Sequence, residues 1–121
     1  MPNYIEQRPW GEFEILKEIK VQDEKSQDTT VKKITIKPNS RLSYQSHKLR
    51  SENWIFIQGK GKVIIDDKEQ EVRAGDIIQI PKGAKHRAIN SHKNLDLLII
   101  EVSLGHFDEN EYTRYEDDYG R

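Results

Sequence analysis

No cysteine occurs among the 121 residues, which excludes disulfides, thiolate zinc sites and a cysteine nucleophile, and leaves any metal to nitrogen and oxygen donors. Charge of one sign is equally scarce. Twenty Lys and Arg against 21 Asp and Glu leave a formal net charge of -1, so no overall field favours a nucleic acid or an anionic membrane, and neither is expected as a partner. No apolar run approaches the roughly 18 residues that span a bilayer, and the opening "MPNYIEQRPW" lacks a signal-peptide core. A cytoplasmic protein is expected, and the length suits one domain over residues 1–121.

Helical periodicity is nearly absent from Trp10 to Val102. Short runs rich in Ile and Val are punctuated instead by Pro, Gly, Asn and Asp, the mark of many short strands. "FEILKEI" alternates apolar and polar, "KKITIK" alternates Ile34 and Ile36, and "WIFIQ" is apolar on both faces, as for a strand packed on two sides. "VQDEKSQDTT" reads as a loop, "QGKG" and "DDKE" as hairpin connections, and "NLDLLIIEV" as a last long strand. The pattern implies an antiparallel sandwich or barrel, all-β, closed by a charged and aromatic stretch, "FDENEYTRYEDDYGR", read as a short C-terminal helix or irregular tail.

Within "SYQSHKLRSENW", Gln45 and His47 are two apart and leave the same face of a strand, and the bend "KLRS" returns Glu52 towards that face. His86 follows the Pro-Lys-Gly turn of "GDIIQIPKGAKHRAIN". Together these residues offer two nitrogen and two oxygen donors, a set suited to a divalent ion of zinc, manganese, iron, nickel or cobalt rather than calcium. Read alone, each imidazole is more often a surface or hydrogen-bonded residue than a ligand, and the spacing of the set brings the two readings to about even.

The two stretches carry a resemblance. Gln45-x-His47, Glu52 and Gly59 resemble the first cupin motif with Gln in place of its first His, and Gly75, Pro81-x-Gly83, His86 and Asn90 match the second. The resemblance implies a cupin, a double-stranded β-helix or jelly-roll barrel. It also implies that Gln45, His47, Glu52 and His86 hold a divalent metal, with zinc the expected ion, while Gly59, Gly75 and Gly83 shape turns.

"RPWG", "LSYQSHKLRSENW", "IPKGAKHRAIN", "IEVSLG" and "TRYEDDYGR" extend the likeness over nearly the whole chain, to the C-terminal domain of type II mannose-6-phosphate isomerases. That domain usually follows a guanylyltransferase domain, whose Gly-rich nucleotide motif is not in this sequence, so guanylyl transfer is not expected. Where the family commonly has two further histidines, this chain has Lys48 and Leu49.

The resemblance implies interconversion of mannose 6-phosphate and fructose 6-phosphate through an enediol. Such chemistry calls for a divalent electrophile and a base. Lys85 and Arg121 are the residues assigned to catalysis, with Lys48 a weaker candidate base. Arg50 and Arg87 are assigned to a sugar-phosphate substrate, guanidinium being a natural partner of phosphate. Arg121 reaches the site if Tyr112, Tyr115 and Tyr119 anchor the tail. Trp10 and Trp54 are read as core before sugar-stacking surface, and His92 and His106 as surface. A homodimer formed through sheet edges is expected. Two alternatives stand beside the isomerase: a non-catalytic sugar- or ligand-binding cupin, and a small iron-dependent oxygenase.

Overall fold

The structure, a computed structural model, describes residues 3–21, 27–106 and 110–119. Two antiparallel sheets face each other. The first runs in the order β1 (Tyr4–Arg8), β2 (Gly11–Ile19), β3 (Thr29–Ile36), β11 (Leu97–Gly105), β6 (Arg50–Gln58), β9 (Ile77–Ile80). The second runs β12 (Thr113–Glu116), β5 (Tyr44–Ser46), β10 (His86–Asn90), β7 (Lys60–Ile65), β8 (Lys68–Arg73), with the short β4 (Ser40–Arg41) also paired to β10. The all-β expectation holds, and no helix occurs among the described residues.

Strand alternation builds the interior. In β3 every second residue, Thr30, Lys32, Ile34 and Ile36, is buried, and in β11 the same is true of Leu97, Ile99, Glu101 and Ser103. Register then sorts the interior by chemistry. Ile34 and Phe56 lie opposite Ile99 from either side, continuing a row of apolar side chains. One step along β11 the row becomes Lys32, Glu101 and Trp54, and the next is Thr30, Ser103 and Glu52. One end of the inner sheet face is therefore hydrocarbon and the other polar. Phe13, Ile36, Phe56, Val63, Ala88, Leu97 and Ile99 fill the apolar end, where burial of each large side chain contributes about 1.5–3 kcal/mol.

The turn glycines behave as their positions require. Gly59 (φ 90°) and Gly83 (φ 82°) adopt left-handed backbone that a side chain would strain, and the Gly83 N–H donates to the His47 carbonyl at 2.8 Å. That bond pins the Pro-Lys-Gly turn of the second motif against the end of the first.

Two expectations need correction. The stretch read as a helix or tail forms strand β12 over Thr113–Glu116, paired to β5, because β5 offers a free edge and Tyr115 seals the join with a 3.0 Å contact to Ser46 Oγ. "WIFIQ" is covered on one side only: Trp54 and Phe56 are buried, whereas Ile57 is 46% exposed. Its outer row of Ile100, Ile55 and Ile77 crosses three adjacent strands, with Ile100 and Ile55 half-buried and Ile77 exposed.

Candidate metal centre and its cavity

Three ligand atoms, one each from His47, Glu52 and His86, lie within 4.8 Å of one another. The folding of each piece is local. His47 immediately follows β5, Glu52 projects inward from β6, and His86 opens β10 directly opposite Gln45. All three side chains are buried, and together with Gln45 they line a cavity of about 380 Å³. That size suits a small polar ligand. A hollow of about 670 Å³ along β7 and β8 is larger, but no histidine lines it.

Backbone carbonyls orient both imidazoles. Nδ1 of His47 lies 2.9 Å from the Glu111 carbonyl and Nδ1 of His86 lies 3.0 Å from that of Ala84. A carbonyl only accepts, so each Nδ1 carries its proton and Nε2 is directed at Glu52, 3.6 Å away for His47 and 3.4 Å for His86. This is the arrangement in which a second partner sets the tautomer of a metal-binding histidine. The donor set fits a divalent ion on that ground.

The electrostatics are tightly bound to the geometry. Burial pulls the His47 imidazolium down, and although the Glu52 charge opposes this, its pKa ends below the ordinary value. Burial acts the same way on His86, but the hydrogen bond and charge of Glu52 outweigh it and hold His86 above the ordinary value. Glu52 is pushed up by burial and pulled further down by His86, ending well below the usual carboxylate range.

Arg50 shares this space. Its side chain is buried, Nε donates to Glu52 at 3.0 Å, and Nη2 donates to Nε2 of His47 at 3.1 Å. A guanidinium therefore sits on two of the three donors, and the residue assigned to substrate phosphate lines the cavity beside the ligand cluster.

The other assigned residues separate. Gln45 lines the cavity, and its Oε1 accepts from Ser43 at 3.1 Å. Arg87 is buried elsewhere, its Nε donating to the Leu42 carbonyl and its guanidinium 5.8 Å from the Tyr44 ring centre. It is not among the cavity's lining residues. Lys85, in the loop just before β10, also lies outside the lining, its backbone N–H donating to Asp66 Oδ1 at 2.9 Å and its Nζ 4.5 Å from the Tyr115 ring centre. Arg121 lies outside the described residues. Lys48 and Leu49 point to solvent, and both of their backbone N–H groups donate to the Glu111 carboxylate. Neither Lys48 nor Leu49 is among the residues lining the cavity. Of the tyrosines, Tyr112 lines the cavity, Tyr115 contacts Ser46, and Tyr119 is 37% exposed.

Sequence reasoning missed Glu101, Lys32, Trp54 and Glu111. Trp54 is core, as read, yet its indole N–H is shared between Glu52 (3.1 Å) and Glu101 (3.2 Å). Glu101 is fully enclosed, and burial followed by the neighbouring Glu52 charge raises its pKa to about 7. A signal was present: Lys32 stands in phase with Ile34 and Ile36 in "KKITIK", and Glu101 in phase with Ile99.

Comparison with known proteins agrees with this architecture. The family described as "Mannose-6-phosphate isomerase C-terminal" matches residues 4–117. The mannose-1-phosphate guanylyltransferase ManC of Salmonella typhimurium is 35% identical over 115 residues, covering 94% of this chain and 22% of that protein. The alginate biosynthesis protein AlgA of Pseudomonas aeruginosa is 37% identical over 115 residues, with the same two coverages. The chain thus spans about a fifth of the length of these relatives. Among solved structures, the capsular polysaccharide assembling protein CapF of Staphylococcus aureus superposes with a TM-score of 0.75 at 22% identity, over 97% of this chain and 33% of that one. Oxalate decarboxylase of Bacillus subtilis gives 0.75 at 21% identity, over 93% and 30%. These likenesses establish the cupin fold, and the sequence matches carry the assignment further: the chain belongs to the mannose-6-phosphate isomerase C-terminal family.

Proposed function

We propose that this cupin is a metal-dependent sugar-phosphate isomerase, acting on mannose 6-phosphate to give fructose 6-phosphate. The observation that carries the reading is the buried His47, Glu52 and His86 cluster opening on a cavity of about 380 Å³, in a chain of this family. A divalent ion at that cluster, zinc by preference, supplies electrophilic polarisation of a sugar carbonyl. His47, Glu52 and His86 are the residues to hold it, with Gln45 on the adjoining wall. Arg8 and Arg114 line the same cavity while remaining partly exposed, which suits them to a phosphate better than the enclosed Arg87.

The test is a coupled assay for fructose 6-phosphate, run with zinc, manganese and cobalt in turn, with His47→Ala as control. Turnover that depends on metal and is lost in the variant is the expected result. Absence of turnover with every ion overturns the reading. In that event the Arg50 guanidinium, already seated on Glu52 and His47, favours the second reading, a ligand-binding cupin that works without metal.

The partner of the apolar outer face is proposed to be a second copy of the chain. Ile100, Ile55 and Ile77 form one row across β11, β6 and β9, and Ile77 is 64% exposed. Exposed apolar patches of this kind mark interaction sites. Light scattering is expected to give a dimer for the natural chain and a monomer for Ile77→Lys; a monomer in both removes the proposal.

A further inference from the structure

The cavity contains a second polar group that the metal cluster does not use. Lys32 and Glu101 face each other across β3 and β11, both buried and both lining the cavity. Nζ of Lys32 lies 3.7 Å from Oε2 of Glu101, an ion pair too long for a hydrogen bond, and Oε2 has no hydrogen-bond partner among the described residues. Oε1 is occupied by the Trp54 indole N–H, which also holds Glu52. The pair therefore adjoins the ligand cluster, Glu101 sharing the Trp54 indole N–H with Glu52, with one carboxylate oxygen open.

A purely structural ion pair is a poor explanation. Apolar side chains of similar volume at such sites are often as stable or more so. The preceding row of the same strands is apolar, with Ile34 opposite Ile99. A buried acceptor left unmatched also carries a desolvation cost that a ligand's hydroxyl would remove.

We propose that Lys32 and Glu101 form a polyol subsite that binds vicinal hydroxyls of an extended sugar chain. The open Glu101 oxygen accepts from one hydroxyl and the Lys32 ammonium donates to the oxygen beside it. Trp54 holds the carboxylate at a set distance from the metal cluster, so the subsite fixes which carbons of the chain lie beside His47 and His86. The assignment rests on the sugar-phosphate reading above and adds to it the residues that recognise the chain.

The experiment measures binding, without requiring turnover. Zinc-loaded protein is titrated calorimetrically with sorbitol 6-phosphate, an open-chain polyol phosphate, and with methyl phosphate, which has no polyol. Glu101→Gln and Lys32→Met are each expected to weaken sorbitol 6-phosphate by about 10-fold or more, the effect of losing a hydrogen bond to a charged group. Methyl phosphate affinity, measured at saturating zinc, is expected to stay unchanged. Glu101→Gln keeps the acceptor for Trp54 and decides the matter if Lys32→Met does not fold.

Equal sorbitol 6-phosphate affinity in natural protein and variants overturns the subsite, as does an equal loss for methyl phosphate. So does a natural protein that binds no sorbitol 6-phosphate. Polyol binding that depends on Lys32 and Glu101, in a protein that turns over no mannose 6-phosphate, supports the subsite while defeating the isomerase reading.

Discussion

His47→Ala is expected to lower zinc affinity by about 100-fold or more, since loss even of a partner that only orients a ligand costs 10–100-fold. His47 contributes one of three clustered donors, and its Nε2 is fixed inward by the Glu111 carbonyl, so no neighbouring imidazole can take its place. The consequence extends to stability. A ligand at about 1,000 times its Kd stabilises the folded state by about 4 kcal/mol. For a domain of this size that is a rise in Tm of more than about 10 °C. Differential scanning of metal-stripped protein with and without zinc is expected to show that rise in the natural chain and none in His47→Ala. An equal rise in both removes His47 from the site.

The same titration has a predictable pH dependence. Glu52 holds the His86 imidazolium above the ordinary His value, so below that raised pKa a proton must leave Nε2 before zinc binds. Affinity is accordingly expected to fall as pH drops, by up to about tenfold per unit for the one proton released. His47 adds little to this slope, because burial keeps it deprotonated to lower pH.

Arg50→Met is the second change with a large expected effect, and its two parts run in opposite directions. In metal-free protein the guanidinium answers the buried Glu52 charge at 3.0 Å. Removing one partner of such a pair costs about 3–5 kcal/mol. The same substitution clears Nε2 of His47 and Oε2 of Glu52 of a competing cation. Zinc affinity is therefore expected to rise by about 10-fold or more, the removed obstacle being a charged hydrogen bond. Calorimetry and thermal scans together give the signature: a lower Tm without zinc and a larger rise with it. Unchanged or weaker zinc binding shows that Arg50 does not compete.

Arg50 also marks the limit of what spacing reveals. In the sequence it stands within the first motif, between Lys48 and Glu52, and surface charge or phosphate contact is the natural reading. Strand β6 begins at Arg50, and alternation puts Arg50, Glu52 and Trp54 on one buried face. The guanidinium is thereby delivered to the ligand cluster itself. Arg87, equally near a motif, is carried away from it by alternation along β10, and Lys85 is held in the preceding loop by Asp66.

What the amino-acid sequence determined by itself was the class of fold and the kinds of donor at the site. Short β-branched runs cannot form helices of useful length, and Gln45, His47, Glu52 and His86 occur in two motifs of recognisable spacing. These are local properties. Only the tertiary structure decided which charged residues are interior. A strand has two faces, and which one is buried depends on the strands beside it. Lys32, Glu101 and Trp54 form one row because β3, β11 and β6 pair in that register, across separations of more than 40 residues. Pairing of the C-terminal strand with β5 likewise brings Glu111 to His47, a contact between distant segments for which neither segment alone carries a signal.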